Sequence, residues 1–186
     1  MVGFSGPFLI ITAVGKDRPG IIAALSQEIY ELGGNIEDSS MTILKGDFAM
    51  ILTVRFPKSL NWQELDVRLK KIEESCGLLT SRRLMPEEEA GRDGEEETSS
   101  YIISVYGADK PGILYGVSEH LARHSINITD LRTNTLEREG VPVYVMVLEV
   151  DVPRRTDWES VQAQLTEICR RLVVDVTVQS LDETLL

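Results

Sequence analysis

Two kinds of apolar periodicity alternate along the chain. Residues 8–14 (FLIITAV) are apolar at nearly every position, and so are residues 48–52 (FAMIL). Short runs of this kind predict strands covered on both sheet faces. Between them Ile21, Leu25, Ile29 and Leu32 recur at helical spacing and form one apolar stripe. Gly33-Gly34 predicts the stop of that helix, because glycine takes the left-handed conformation common after a last turn. Residues 35–44 and 48–56 predict a β-hairpin turning at Gly46-Asp47. A helix over about 61–76 and a strand over 78–84 complete a βαββαβ order.

The second half repeats the first. Asp17-Arg18-Pro19-Gly20-Ile21 returns as Asp109-Lys110-Pro111-Gly112-Ile113 at an offset of 92, which holds through Ser26/Ser118, Asn35/Asn127, Ile36/Ile128 and Asp38/Asp130. Beyond the hairpin the offset is 96, at Pro57/Pro153, Trp62/Trp158 and Leu69/Leu165, so the second hairpin is four residues longer. Its elements are a strand over 101–106, a helix on Ile113, Val117 and Leu121, a hairpin over 127–150, a helix over 157–172 and a strand over 173–181. A period this long indicates a duplicated domain. The expected organisation is residues 1–85, an acidic linker over 86–99, and residues 100–186. Each half is expected to be an α+β, ferredoxin-like βαββαβ domain, with an antiparallel sheet and both helices on one face. Strands apolar on both sides imply that the other sheet face is covered too, by the sister domain or by another chain, hence a compact pair or a homo-oligomer.

Charge sharpens this picture. The net charge is −11, and residues 86–100 (PEEEAGRDGEEETSS) hold seven acidic side chains against one basic. That stretch has one small apolar residue, Ala90, and reads as a solvated, self-repelling join. An acidic chain lacks the electrostatic footprint for phosphate backbones, which disfavours direct nucleic-acid binding. No apolar stretch approaches the ~20 residues of a membrane span, and the opening residues lack the basic start of a signal peptide. The expected location is cytoplasmic, with no membrane partner. Cys76 and Cys169 occupy unmatched repeat positions and follow no metal spacing. They read as reduced thiols, with a disulfide the alternative.

Candidate chemistry is sparse. His120 and His124, four apart on a helix, would suit a metal only with a third ligand, and they have no counterparts in the first half, where Glu28 and Leu32 stand. No P-loop or dinucleotide fingerprint occurs. The expectation is therefore no metal, no cofactor and no catalytic residue. Both halves do keep the loop from first strand to first helix, Gly15 to Gly20 and Gly107 to Gly112. Pro19 and Pro111 predict the first helical turn, with Asp17 and Asp109 placed to cap it. A glycine-flanked loop entering a helix N-terminus offers free N–H groups to a carboxylate. Arg18 and Lys110 can add positive charge, and Asn35 and Asn127 can supply donors and acceptors. The candidate ligand-binding residues are Asp17, Arg18, Pro19, Gly20, Asn35, Asp109, Lys110, Pro111, Gly112 and Asn127. The same residues also make a good helix start and stop, which is the competing structural reading. A substitution such as Gly20→Val is expected to act sterically, by blocking a close backbone approach.

Asp-Arg/Lys-Pro-Gly-Ile, a helix ending near Asn-Ile-x-x-Asp, and the hairpin that follows resemble the ACT domains, small βαββαβ regulatory modules. The resemblance covers residues 7–85 and 100–182. Two such units with no attached enzyme look most like the glycine cleavage system transcriptional repressor family. The resemblance implies a non-enzymatic regulator that binds a small, glycine-like amino acid at the loops and passes its state to a protein partner such as a DNA-binding regulator. Three alternatives stand beside it: an adaptor without ligand, an acylphosphatase-like hydrolase built on Arg18, and an RNA-recognition-like sheet around residues 45–49. Lys110 in place of the arginine argues against the hydrolase, and acidity argues against RNA.

Overall fold

The computed structural model describes residues 6–86, 97–138 and 140–181. The chain divides into two compact units, Met1–Asp93 and Gly94–Leu186. Most of the predicted acidic join, residues 87–96, lies outside the described residues, as do the first five.

The first unit runs β1 (Phe8–Lys16), α1 (Ile21–Glu31), β2 (Asn35–Leu44), β3 (Asp47–Arg55), α2 (Trp62–Cys76) and β4 (Leu78–Met85). The second runs β5 (Thr98–Ala108), α3 (Ile113–Arg123), β6 (Asn127–Arg138), β7 (Val141–Pro153), α4 (Trp158–Leu172) and β8 (Val174–Ser180). The sheet orders are β2-β3-β1-β4 and β6-β7-β5-β8, with every pairing antiparallel. These are two ferredoxin-like βαββαβ units.

Alternation along the central strands decides which side chains meet the helices. Leu9, Ile11 and Ala13 of β1 and Phe48, Met50, Leu52 and Val54 of β3 join Ile21, Leu25 and Ile29 of α1 and Leu65, Leu69 and Ile72 of α2 in one core. The second core is built the same way from Ile103, Val105, Met146, Leu148 and Val150 with Ile113, Val117, Leu121, Val161 and Leu165. The repeated bulge falls at Ile36/Asp38 in one sheet and Ile128/Asp130 in the other.

The structure corrects several local expectations. Lys45 (φ 51°) and Gly46 (φ 84°), not Gly46-Asp47, make the first hairpin turn. Two successive positive φ values suit the right-handed twist of the flanking strands. The four extra residues of the second hairpin lengthen its strands, adding the pairs Glu137↔Pro142 and Arg138↔Val141 beyond the matching end pair Leu136↔Val143. β5 begins at Thr98, inside the segment read as linker, because Thr98 and Ser99 pair with Pro153 and Val152. Asn61 and Asp157 are N-caps of α2 and α4. Val173, read as the start of a strand, instead ends α4 in the left-handed conformation. Both cysteines are free, and burial pushes the Cys169 thiol up to about 11. Among the described residues no helix is long and apolar enough to cross a membrane.

Candidate functional site

In both units the shared loop ends on a glycine. Gly20 and Gly112 are the N-caps of α1 and α3, each at φ 94°, and neither helix has a side-chain cap or an acidic residue in its first turn. Pro19 and Pro111 therefore sit just before the helix instead of inside it, and Asp17 and Asp109 do not cap it. The first bonds, Ala24 N–H to the Gly20 carbonyl and Gly116 N–H to the Gly112 carbonyl, close the ladder behind three first-turn N–H groups per helix. Those groups form the positive end of the helix dipole. A Cβ on either glycine would meet nothing within 4 Å. Glycine is needed there for its positive φ, so Gly20→Val would strain the backbone first.

The first loop is tied on two sides. Asp17 N–H donates to the Gly46 carbonyl at 3.0 Å, fixing the loop to the hairpin turn. The Arg18 guanidinium donates to the Ser75 carbonyl in the last turn of α2, where a cation complements the negative helix end. A groove of ≈ 240 Å³ opens between residues 17–23 and Met41, Ile43 and Phe48. Its far wall is apolar.

The second loop meets different walls. Asp109 Oδ2 accepts from Thr135 Oγ1 at 3.3 Å. Register places Thr133 opposite Met146 and Thr135 opposite Tyr144, just as Met41 faces Met50 and Ile43 faces Phe48. Hydroxyls thus stand where the first unit has apolar side chains. Burial first, and then the Asp109 carboxylate, raise Tyr144 above the ordinary phenol range. Tyr144 stands near Asp109 of this loop and is not among the candidate residues; its signal in the sequence is the exchange of Phe48 for tyrosine at the 96 offset.

Asn35 and Asn127 do not join their own loops. Each opens the strand after the helix, whereas the loop precedes it, and an 11-residue helix separates them by about 16 Å. One amino acid cannot touch both groups inside one unit. Asn127 instead lines a groove of ≈ 450 Å³ with Tyr115, Ser118, Glu119, Ala122, Ile126 and Ile128.

The histidines are accounted for locally. His120 is buried and donates Nε2–H to the Val161 carbonyl at 3.0 Å, and His124 donates Nδ1–H to the His120 carbonyl at 2.9 Å. Among the described residues no group of three or more His, Cys, Asp and Glu could hold a metal. At the position matching His120, the first unit carries buried Glu28, which binds Arg68 and Lys71 at 2.7 Å each.

Comparison with known proteins follows the same division. The ACT domain family model matches residues 7–81 and 99–179. The glycine cleavage system transcriptional repressor of Escherichia coli K12 is 26% identical over 172 residues, which cover 89% of this chain and 85% of that one. A UPF0237 protein of Corynebacterium glutamicum is 42% identical over 73 residues, 39% of this chain and 82% of the relative. Among solved structures, an unknown protein from Galdieria sulphuraria superposes with a TM-score of 0.79 at 26% identity, covering 94% of this chain and 98% of that chain. A candidate glycine cleavage system transcriptional repressor gives 0.67 at 20% identity, over 94% and 97%, and shares the fold.

Proposed function

Because the chain belongs to the ACT domain family in both of its halves, we propose that it is a non-enzymatic cytoplasmic regulator that senses a small amino acid through its β1–α1 and β5–α3 loops. The observation that carries this reading is the repeated helix entry: two glycines at the same φ of 94° in front of first turns with no side-chain cap. Such a turn suits a carboxylate. Lys110 adds positive charge beside the second loop. The E. coli relative is a transcriptional repressor by name, and the acidity of this chain suits an indirect route, through a DNA-binding protein partner.

The test is a thermal-shift panel of the twenty amino acids at millimolar concentration on the full chain. A ligand at 100 times its Kd adds about 2.7 kcal/mol. One small amino acid is expected to raise Tm, and to do so less with Lys110→Ala, which removes the cation beside the second loop. A flat panel would overturn the sensor reading. It would favour a protein-binding module without ligand, a role consistent with Arg18 being used to tie the loop to Ser75. Turnover of an acyl phosphate would overturn the non-enzymatic part.

A further inference from the structure

The two units finish their last strand differently. β4 and β8 are corresponding sheet edges, paired on one side only, with β1 and with β5. An unpaired edge is a row of N–H and C=O groups open to an added strand. In the first unit, side chains of α2 reach over that row. Glu73 Oε1 accepts from the Thr80 N–H at 2.8 Å and from its hydroxyl at 2.9 Å. Two residues on, Arg82 donates to both Asp66 oxygens, at 2.7 and 3.0 Å. With Lys70 these groups line a polar cleft of ≈ 270 Å³ between α2 and β4.

At the 96 offset all of those charges are gone. Asp66 is replaced by Gln162, Lys70 by Thr166, Glu73 by Cys169 and Arg82 by Val178, while Val176 stands for Thr80. One bond fixes the direction of the backbone groups: Leu181 N–H donates to the Ser100 carbonyl at 2.9 Å. β8 pairs with β5 without a break in register, so its N–H groups alternate. Those of Asp175, Thr177 and Gln179 point to β5, and those of Val174, Val176 and Val178 point outward. Among the described residues nothing else takes the outward N–H groups of Val176 and Val178. The side chains of both valines pack toward the second core, on the helix side of the sheet. The opposite face of this edge carries Asp175, which is exposed.

We propose that β8 accepts an extended segment of a protein partner as an added strand of the second sheet, held by main-chain pairing. The edge fixes the chemistry of that segment. Its residues opposite Val174, Val176 and Val178 fall on the helix side, along the uncharged flank of α4, and are apolar. The residue opposite Asp175 lies on the other face and is basic, since opposite charges across a strand pair attract. The net charge of −11 draws a basic segment in from a distance. The occupant is therefore a segment in which apolar residues alternate with basic or small polar ones. Docking of this kind does not rest on the amino-acid reading.

The probe is a fluorescein-labelled peptide, Lys-Val-Thr-Val-Lys-Val-Lys, titrated with the full chain and followed by fluorescence anisotropy. Laid antiparallel, it sets valines opposite Val178, Val176 and Val174 and its middle lysine opposite Asp175. So short a contact buries less than about 1,200 Å², and the expected Kd is about 10–100 µM. Val176→Pro removes an outward N–H and spares the bonds to β5, a place where edge strands tolerate proline. It is expected to weaken binding more than about tenfold, with an unchanged urea transition at Trp158 confirming that the unit still folds. Asp175→Lys, at an exposed position, should weaken binding about fivefold, and a peptide with glutamate for the middle lysine should recover it. No binding up to about 1 mM, equal binding of a scrambled peptide, or indifference to both variants overturns the proposal. So does a wild-type chain that self-associates in sedimentation velocity and becomes monomeric with Val176→Pro, because β8 would then serve a second copy.

Discussion

In the first unit α1 gives way to Gly33, at φ 73°, and Gly34; in the second α3 gives way to Ser125, at φ 57°, and Ile126. The closing bond is the same in both, Gly34 N–H to the Ile29 carbonyl at 2.9 Å and Ile126 N–H to the Leu121 carbonyl at 3.1 Å. The side chains are not the same. A Cβ on Gly34 would stand 2.6 Å from the Phe56 ring and 2.8 Å from Ile29. Ile126 is buried in its core, and the residue matching Phe56 there is the smaller Val152. The volume absent at one position is supplied at the other. What the duplication has kept is backbone geometry and a filled interior, and residue identity has drifted around both.

That comparison can be broken most directly by forcing one solution onto the other unit. Gly34→Ile is expected to cost about 3 kcal/mol through overpacking against Phe56. Adding Phe56→Val should return at least half of that. Urea unfolding followed by tryptophan fluorescence reads the cycle, because Trp62 and Trp158 place one reporter in each unit. Failure of Phe56→Val to rescue would mean that the two positions do not trade volume. The transition reported by Trp158 should stay where it is in every variant.

A second pair tests strain. α2 ends on Gly77 at φ 66°, whereas α4 ends on Val173 at φ 63°. A β-branched residue pays about 1–2 kcal/mol in that region. Val173 is 62% exposed and gains little packing in return. Val173→Gly should stabilise the second unit by about 1 kcal/mol, after the entropic cost of glycine is deducted. Gly77→Val should destabilise the first by a similar amount. A neutral result at both sites would mean that the two chain reversals relax without strain.

These pairs also mark how far the sequence could be read. The element order and the helix-facing side of each sheet were legible because alternation and the 3.6-residue stripe are properties of single segments, and the repeat supplied each of them twice. The cap of α1 was not legible: Asp17 and Pro19 have the chemistry of a helix start, yet backbone φ chooses Gly20. The distance from loop to Asn35 needed the length of α1 laid out in space. The Gly34/Phe56 exchange needed two residues far apart in sequence to be known as neighbours. The β2–β3 turn shifted by one residue because Lys45 accepts a positive φ that favours glycine or asparagine.

The interhelical layer differs by charge. Glu28 is held by Lys71, whose hydrogen bond is the main cause of its lowered pKa; burial opposes this, and Arg68 adds to it. A carboxylate lowered in the folded state adds stability that is fully present above the unfolded value, near 4.3. That stability is lost as pH falls through the lowered folded value. The transition reported by Trp62 should therefore weaken on acidification from about pH 5 downward, and Glu28→Gln should flatten part of that slope. His120 occupies this place in the second unit, so no substitution at Glu28 should alter the acid response reported by Trp158. An unchanged slope in Glu28→Gln would assign the acid sensitivity to other carboxylates, such as Glu31 and Asp66, both also lowered by arginine.

The smallest expected change in stability bears most on function. Met41 and Ile43 form the apolar wall of the first loop groove, where the second unit has Thr133 and Thr135. Both are partly exposed, at 41% and 51%, so Met41→Thr with Ile43→Thr should alter stability by only about 0.5 kcal/mol. If the loops take an amino acid, the same change replaces apolar contacts to its side chain with hydroxyls. A methylene-sized contact is worth about 1–3 kcal/mol of discrimination. The variant's ranking across the amino-acid panel should therefore move toward polar side chains by roughly tenfold in affinity, while binding of glycine, which has no side chain to present, should hardly change. The reverse exchange, Thr135→Ile, should move preference the other way and also remove the bond to Asp109. A ranking that stays fixed under both exchanges would place the selective contacts elsewhere, with the groove lined by Asn127 as the next surface to vary.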